Sequence, residues 1–214
     1  MLMEIREEPT ALRETLSAAA STCRKIASEL AHDEPRLVYF SGSGTSYHAV
    51  LASHYLTSSL SSTPTNSIPS SEFDSWVRTS VSSRSIVVII SQSGESIDAV
   101  SALRAAKKKG IRSVAITNSP ESPLAETSDF VVVTRAGSET AVTATKTFLS
   151  CLAAAYLLSL ELIDALRSFT GSGEELSTLR RELQTSPSVV QETIRKCTDR
   201  AEALANRFVQ DSLF

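Results

Sequence analysis

Hydrophobic residues enter this chain in two rhythms. Short unbroken runs recur at Leu37-Val38-Tyr39-Phe40, Ile86-Val87-Val88-Ile89-Ile90, Val114-Ala115-Ile116 and Phe130-Val131-Val132-Val133. They lack in/out alternation, the mark of strands buried on both faces. Between them apolar residues return at helical spacing. Leu12, Leu16, Ala20, Cys23, Ile26 and Leu30 define a helix over 10–31, preceded by Pro9 and capped near Thr10. Strands are predicted at 36–41, 85–91, 113–117 and 130–133, with a weaker one at 64–68. Further helices are predicted at 45–60, with Thr45 or Ser46 as cap, at 97–109, stopped by Gly110, and at 143–168. Short helical turns are expected at 71–77 and 122–126. After Gly171-Ser172-Gly173 the chain turns polar and helical, over 174–183 and then 187–208, with Pro187 starting the second segment. Residues 207–214 become apolar again and read as the opening of another element, which suggests a truncated product.

Strands alternating with helices of ten to fifteen residues make βαβ units. The fold class is therefore α/β, a three-layer α/β/α sandwich on a five-stranded parallel sheet. The strand order is expected to reverse between the first and third strands, as in flavodoxin-like sheets. Ligands bind at that switch point, beyond the carboxyl ends of the strands. Residues 1–168 are read as the binding domain and 169–214 as a helical tail or linker.

Composition narrows this little. The chain has 214 residues, 42% hydrophobic and 21% charged, which suits one globular domain with an appendage. A net charge of −3 argues against a nucleic-acid partner. The one dense cationic run, Lys107-Lys108-Lys109, ends a helix, where the dipole favours positive charge. Cys23, Cys151 and Cys197 are distant, odd in number and without metal spacing, so they read as packed thiols in a reducing compartment. No uninterrupted apolar run reaches the ~18–20 residues that span a bilayer. The first eight residues are too charged for a signal peptide. A cytoplasmic protein with no membrane partner is expected.

The chemistry lies where two strands end. Ser41-Gly42-Ser43-Gly44-Thr45-Ser46 and Ser91-Gln92-Ser93-Gly94-Glu95-Ser96 each follow an apolar run and open a helix. Free N–H groups, short hydroxyls and a helix dipole converge there into an oxyanion cradle. The first loop lacks the third glycine of a dinucleotide fingerprint, and no lysine completes a Walker motif. Two cradles on adjacent strands suit a small ligand bearing a phosphate and several hydroxyls. His48, beside the first cradle, could meet ligand or a neighbouring chain; His54 reads as structural, and His32 ends a helix. Glu95 could touch ligand or cap its helix. Glu139 and Lys146 flank the Thr-rich stretch 140–145, which either closes over the ligand or caps the next helix. Glu72 is an isolated carboxylate. No metal cluster, cofactor motif or catalytic triad stands out, and no catalytic residue is assigned.

In these residues the chain resembles the sugar isomerase (SIS) domain family. The matching text is Gly44-Thr45-Ser46-Tyr47-His48-Ala49, Ser71-Glu72-Phe73, Ser91-Gln92-Ser93-Gly94-Glu95-Ser96, Ala115-Ile116-Thr117-Asn118, Ser128-Asp129, and Ala136-Gly137-Ser138-Glu139 leading to Ala144-Thr145-Lys146-Thr147-Phe148. Glu4-Ile5 and Pro9-Thr10-Ala11-Leu12-Arg13 fit the family's entry helix. The likeness covers about 1–165 and is nearest to the first SIS domain in the isomerase half of the glutamine–fructose-6-phosphate aminotransferases, the glucosamine-6-phosphate synthases of amino sugar metabolism. It implies phosphosugar binding, with Ser91, Ser93 and Ser96 on phosphate, Gln92 and Ser46 nearby, and Gly44, Thr45 and Val142 completing the set. Ser96 keeps the hydroxyl of the family's usual Thr, and Ser43 stands where the synthases commonly have Cys. The family's ring-opening and proton-transfer residues belong largely to a second SIS domain, and no second pair of these motifs follows Phe148. The resemblance thus implies aldose–ketose chemistry that this chain does not complete alone, or, as the alternative, a non-catalytic sugar-phosphate sensor. It also implies a homodimer.

Overall fold

The computed structural model describes residues 1–80 and 84–209, with side chains at all of these but 78–80. The elements run α1 (Leu2–Ala31), β1 (Leu37–Gly42), α2 (Thr45–Leu60), β2 (Thr65–Pro69), α3 (Phe73–Ser80), β3 (Ser85–Ile90), α4 (Ile97–Lys108), β4 (Arg112–Thr117), α5 (Pro123–Thr127), β5 (Phe130–Val133), α6 (Lys146–Ala165) and α7 (Gly173–Phe208). The strands form one parallel sheet in the order β2-β1-β3-β4-β5. The order reverses between β1 and β3, as expected. Both cradles therefore lie side by side at one carboxyl edge, with Gly42 paired to Ile90.

Each strand residue faces one of two cores. Val38, Phe40, Ile86, Val88, Ile90, Val114, Ile116 and Val132 pack beneath α1, α2 and α6. Tyr39, Val87, Ile89 and Ala115 pack against α3, α4 and α5. Burial on both faces explains why the apolar runs show no alternation. The central β3 is buried at every position.

Four features depart from expectation. Helix α1 begins at Leu2, so Pro9 lies inside it and Thr10 caps nothing. Pro9 is buried on the side facing Gln191 and Ile194 of α7, and this tertiary packing carries the helix through a residue that would otherwise open one. Helix α7 is likewise a single helix of 36 residues, about 54 Å long, through Pro187. Proline cannot donate to the Leu183 carbonyl one turn back. The Ser186 hydroxyl donates to it instead, at 2.7 Å. Helix α6 spans Lys146–Ala165, shorter at both ends than the expected 143–168, and Leu183 and Val190 of α7 pack on the same core as it and α1. Lastly, Cys23 and Cys151 are packed thiols, pushed up to about 12 by burial and then by neighbouring carboxylates, whereas Cys197 is exposed on α7.

Helix α6 is long and apolar enough to cross a membrane by length and composition, but two thirds of that window is buried inside the fold. The expected new element at 207–214 lies, from 210 onward, outside the described residues.

Candidate functional site

The sheet's switch point opens into a cavity of about 290 Å³. Three walls enclose it. The first is the β1–α2 turn. A Cβ on Gly42 would sit 3.0 Å from Val50 and 3.1 Å from the Ile90 carbonyl, so a side chain there would have to push its neighbours aside by a few tenths of an ångström. Gly44, at φ +54°, takes the N-cap position that Thr45 or Ser46 was expected to fill, and it supplies no side-chain cap. Thr45 and Ser46 fall instead in the first turn of α2, where backbone N–H groups have no intrahelical acceptor. Ser43, Thr45 and Ser46 face the cavity.

The second wall is the β3–α4 turn. Gly94 (φ +67°) reverses the chain and accepts from the Leu124 N–H at 3.1 Å, fixing the loop to α5. Ser91 Oγ accepts from Gly94 N–H at 3.2 Å, and Ser93 Oγ accepts from Glu95 N–H at 3.3 Å. Each hydroxyl is thus oriented by its own loop while its proton stays free to donate. Ser96 is the N-cap of α4 and makes no side-chain cap, so the positive end of that helix is open too. The Gln92 carbonyl is anchored by Asn118 N–H at 2.9 Å and Thr117 Oγ1 at 3.1 Å.

The third wall is the segment entering α6. Ala141, Val142, Ala144 and Thr147 line it, with Val142 fully exposed at the mouth. Among the described residues Glu139 is the one ionisable residue in the lining. Burial alone would raise its carboxyl, but hydrogen bonds from Thr147 and Thr145 outweigh that and lower it. Its Oε1 accepts from Thr145 N–H at 2.9 Å and Thr145 Oγ1 at 2.7 Å; Oε2 accepts from Thr147 Oγ1. Glu139 therefore caps α6 and faces the cavity at once, which joins the two roles the sequence left open.

Of the candidates, Thr45, Ser46, Ser91, Gln92, Ser93, Ser96 and Val142 share this lining. Gly44 shapes it as the helix cap without lining it. His48, Glu95 and Glu72 are exposed and outside it. His54 accepts or donates to Thr65 Oγ1 at 2.8 Å, and burial lowers its pKa. Lys146 is buried and paired to Glu7 at 2.6 Å, away from the cavity. Thr147 as a lining residue and the outer support of the third wall by α1 were not anticipated; the traces were the Thr-rich composition of 140–145 and the family text at Glu4 and Thr147. Among the described residues no group of three potential metal ligands occurs.

Hydroxyls and a helix end on one side, with a fixed carboxylate on the other, can hold an oxyanion at one end of a ligand and accept hydrogen bonds from its other end. The SIS domain family model matches residues 33–160. The glutamine–fructose-6-phosphate aminotransferase of Gloeobacter violaceus is 40% identical over 196 residues, covering 89% of this chain and 32% of that protein. The same enzyme of Pyrobaculum aerophilum is 36% identical over 214 residues, covering 98% and 33%. The chain spans about a third of the length of these curated relatives. The C-terminal domain of glucosamine-fructose-6-phosphate aminotransferase from Francisella tularensis superposes with a TM-score of 0.87 at 28% identity, over 99% of this chain and 59% of that one.

Proposed function

The chain belongs to the SIS domain family, and from that premise we propose that its switch-point cavity binds a hexose 6-phosphate, fructose 6-phosphate or glucosamine 6-phosphate. The observation that carries the reading is the β3–α4 turn. Three serine hydroxyls, two of them pre-oriented by loop N–H groups, stand at an uncapped helix N-terminus. Ser91, Ser93 and Ser96 take the phosphate, and Gln92, Ser46 and Thr45 meet the sugar. Glu139 and the Val142 loop close the far side. Residues 1–168 act as the binding unit and 169–214 as a helical arm.

Aldose–ketose isomerisation needs a group that titrates within hydrogen-bond reach of the moving proton. His48 and Glu95 lie outside the cavity, and Glu139 is held as a fixed acceptor by Thr145 and Thr147. The reading is therefore of a binding half of an isomerase-type site in amino sugar metabolism, working in the cytoplasm and completed by other residues for turnover. No cofactor enters it. Calorimetric titration tests it. Fructose 6-phosphate or glucosamine 6-phosphate should bind at least about ten-fold more tightly than inorganic phosphate, since the sugar adds several hydrogen bonds. Equal affinity for all three, or none, overturns the reading.

The same proposal includes a two-fold homodimer through α2, whose Tyr55 is 66% exposed and whose His48 stands beside the first cradle. Isologous pairing is the commonest way to cover such a face. Sedimentation equilibrium at micromolar concentrations should give a mass near twice 23.0 kDa. A monomer throughout refutes it.

A further inference from the structure

The third wall of the cavity is anchored at its start by Asn118, just past β4, which donates to the Gly137 carbonyl at 2.9 Å and accepts from Ala136 N–H at 3.1 Å. The wall is also held from behind by α1, more than a hundred residues earlier in the chain. Glu4 Oε1 accepts from Thr140 N–H at 2.6 Å, Thr140 Oγ1 at 3.1 Å and Ala141 N–H at 3.1 Å. Glu7 pairs with the buried Lys146 at 2.6 Å. Thr15 Oγ1 accepts from Arg135 N–H at 2.9 Å. These three residues lie along one face of α1 and grip both ends and the middle of the segment 135–146. Glu4 is itself buried, at 7% exposure. Its carboxyl is drawn down to about 2 by the ammonium of Met1 and by the Thr140 and Ala141 N–H groups, so it stays an acceptor throughout the neutral range.

The segment needs such a grip. It carries no strand pairing between β5 and α6, and two of its backbone donors, at Thr140 and Ala141, point outward from the cavity at the Glu4 carboxylate. On the inner side Glu139 ties it to the first turn of α6. The wall is thus clamped between two carboxylates, one facing the cavity and one on α1. Ala141 is common to both: its N–H binds Glu4 while the residue lines the cavity.

We propose that Glu4, supported by Glu7, is a positioning residue that sets the closure of the third wall and hence the discrimination between a sugar phosphate and bare phosphate. For the ligand this rests on the phosphosugar reading; for the clamp it does not. By linkage, occupancy of the cavity and docking of α1 must strengthen each other by the same factor.

Amide hydrogen exchange on the full chain, measured residue by residue with and without ligand, tests this alongside calorimetry. In Glu4→Ala the Thr140 and Ala141 amides should exchange at least ten-fold faster without ligand, while β3 amides stay unchanged. Affinity for fructose 6-phosphate should fall about ten-fold, and affinity for inorganic phosphate, held by the β3–α4 turn, should stay within two-fold. Glu4→Gln keeps an acceptor oxygen and should recover most of both effects. Unchanged exchange at Thr140 and Ala141, or an equal loss for both ligands, overturns the proposal. If the wild type binds no fructose 6-phosphate, the binding reading falls and the exchange result alone decides the clamp. Should Glu4→Ala fail to fold, Glu7→Gln, at a half-exposed carboxylate, loosens the Lys146 end of the same segment and is read the same way.

Discussion

Gly94→Ala is expected to lower the thermal midpoint by roughly 5–15 °C. Gly94 has φ +67°, where an L side chain costs about 1–2 kcal/mol. Its new Cβ would also lie 2.0 Å from Ser122 Oγ and 2.5 Å from Ser122 Cβ. Ser122 caps α5 and is itself buried, so it has little room to withdraw. Overpacking of this kind adds about 1–3 kcal/mol. A total of about 2–5 kcal/mol, at about 2–4 °C per kcal/mol in a domain of this size, brackets that midpoint shift. Gly110→Ala is the internal control. Gly110 has the same φ of +67°, but nothing lies within 4 Å of its Cβ position. It should show the backbone cost alone, about half the effect or less. Circular dichroism melts of both variants measure the difference; equal midpoints would contradict the packing of the loop on α5. Binding should fall with Gly94→Ala even below the melt, because Gly94 N–H orients Ser91 and the neighbouring Glu95 N–H orients Ser93.

Ser93→Ala should leave the fold standing and remove most of the affinity. Ser93 is half-buried at the cavity, and its hydroxyl accepts from Glu95 N–H at a long 3.3 Å, so the stability cost is small. A hydrogen bond to a charged group contributes about 1.5–3 kcal/mol, or roughly ten- to a hundred-fold in affinity. Calorimetry with fructose 6-phosphate should register that loss while the melting midpoint moves by no more than about 2 °C. Undiminished affinity in a folded Ser93→Ala protein removes the β3–α4 turn from the phosphate site.

The sheet was readable in the sequence because burial on both faces leaves a local imprint. The run 86–90 could belong only to a covered strand, and the helices between such runs force parallel pairing and the reversed order. The cradles were readable for a related reason: a strand end followed by Ser, Gly and Thr has few other conformations available. What misled were local rules overruled by the surroundings. Pro9 and Pro187 each look like helix starts, and each is carried through a helix interior, the first by packing on α7 and the second by the Ser186 hydroxyl on Leu183. Thr45 and Ser46 look like caps, yet Gly44 can adopt a left-handed conformation and displaces them into the first turn. The third wall was the least legible part. Glu4 lies outside the helix expected over 10–31, and nothing near it announces Thr140.

The α1 grip also has a temporal side. Glu4 and Thr140 are 136 positions apart, and Glu7 and Lys146 are 139 apart. Contacts that close so long a loop repay their entropy only after the intervening chain has collapsed. The cradles are closed by the pairing of β1 with β3 and by the bonds from Leu124 to Gly94 and from Asn118 to Gln92, none of which spans half that distance. A folding molecule therefore acquires its anion-holding edge early and its enclosing wall last. The chain is committed to its fold before it can select a ligand.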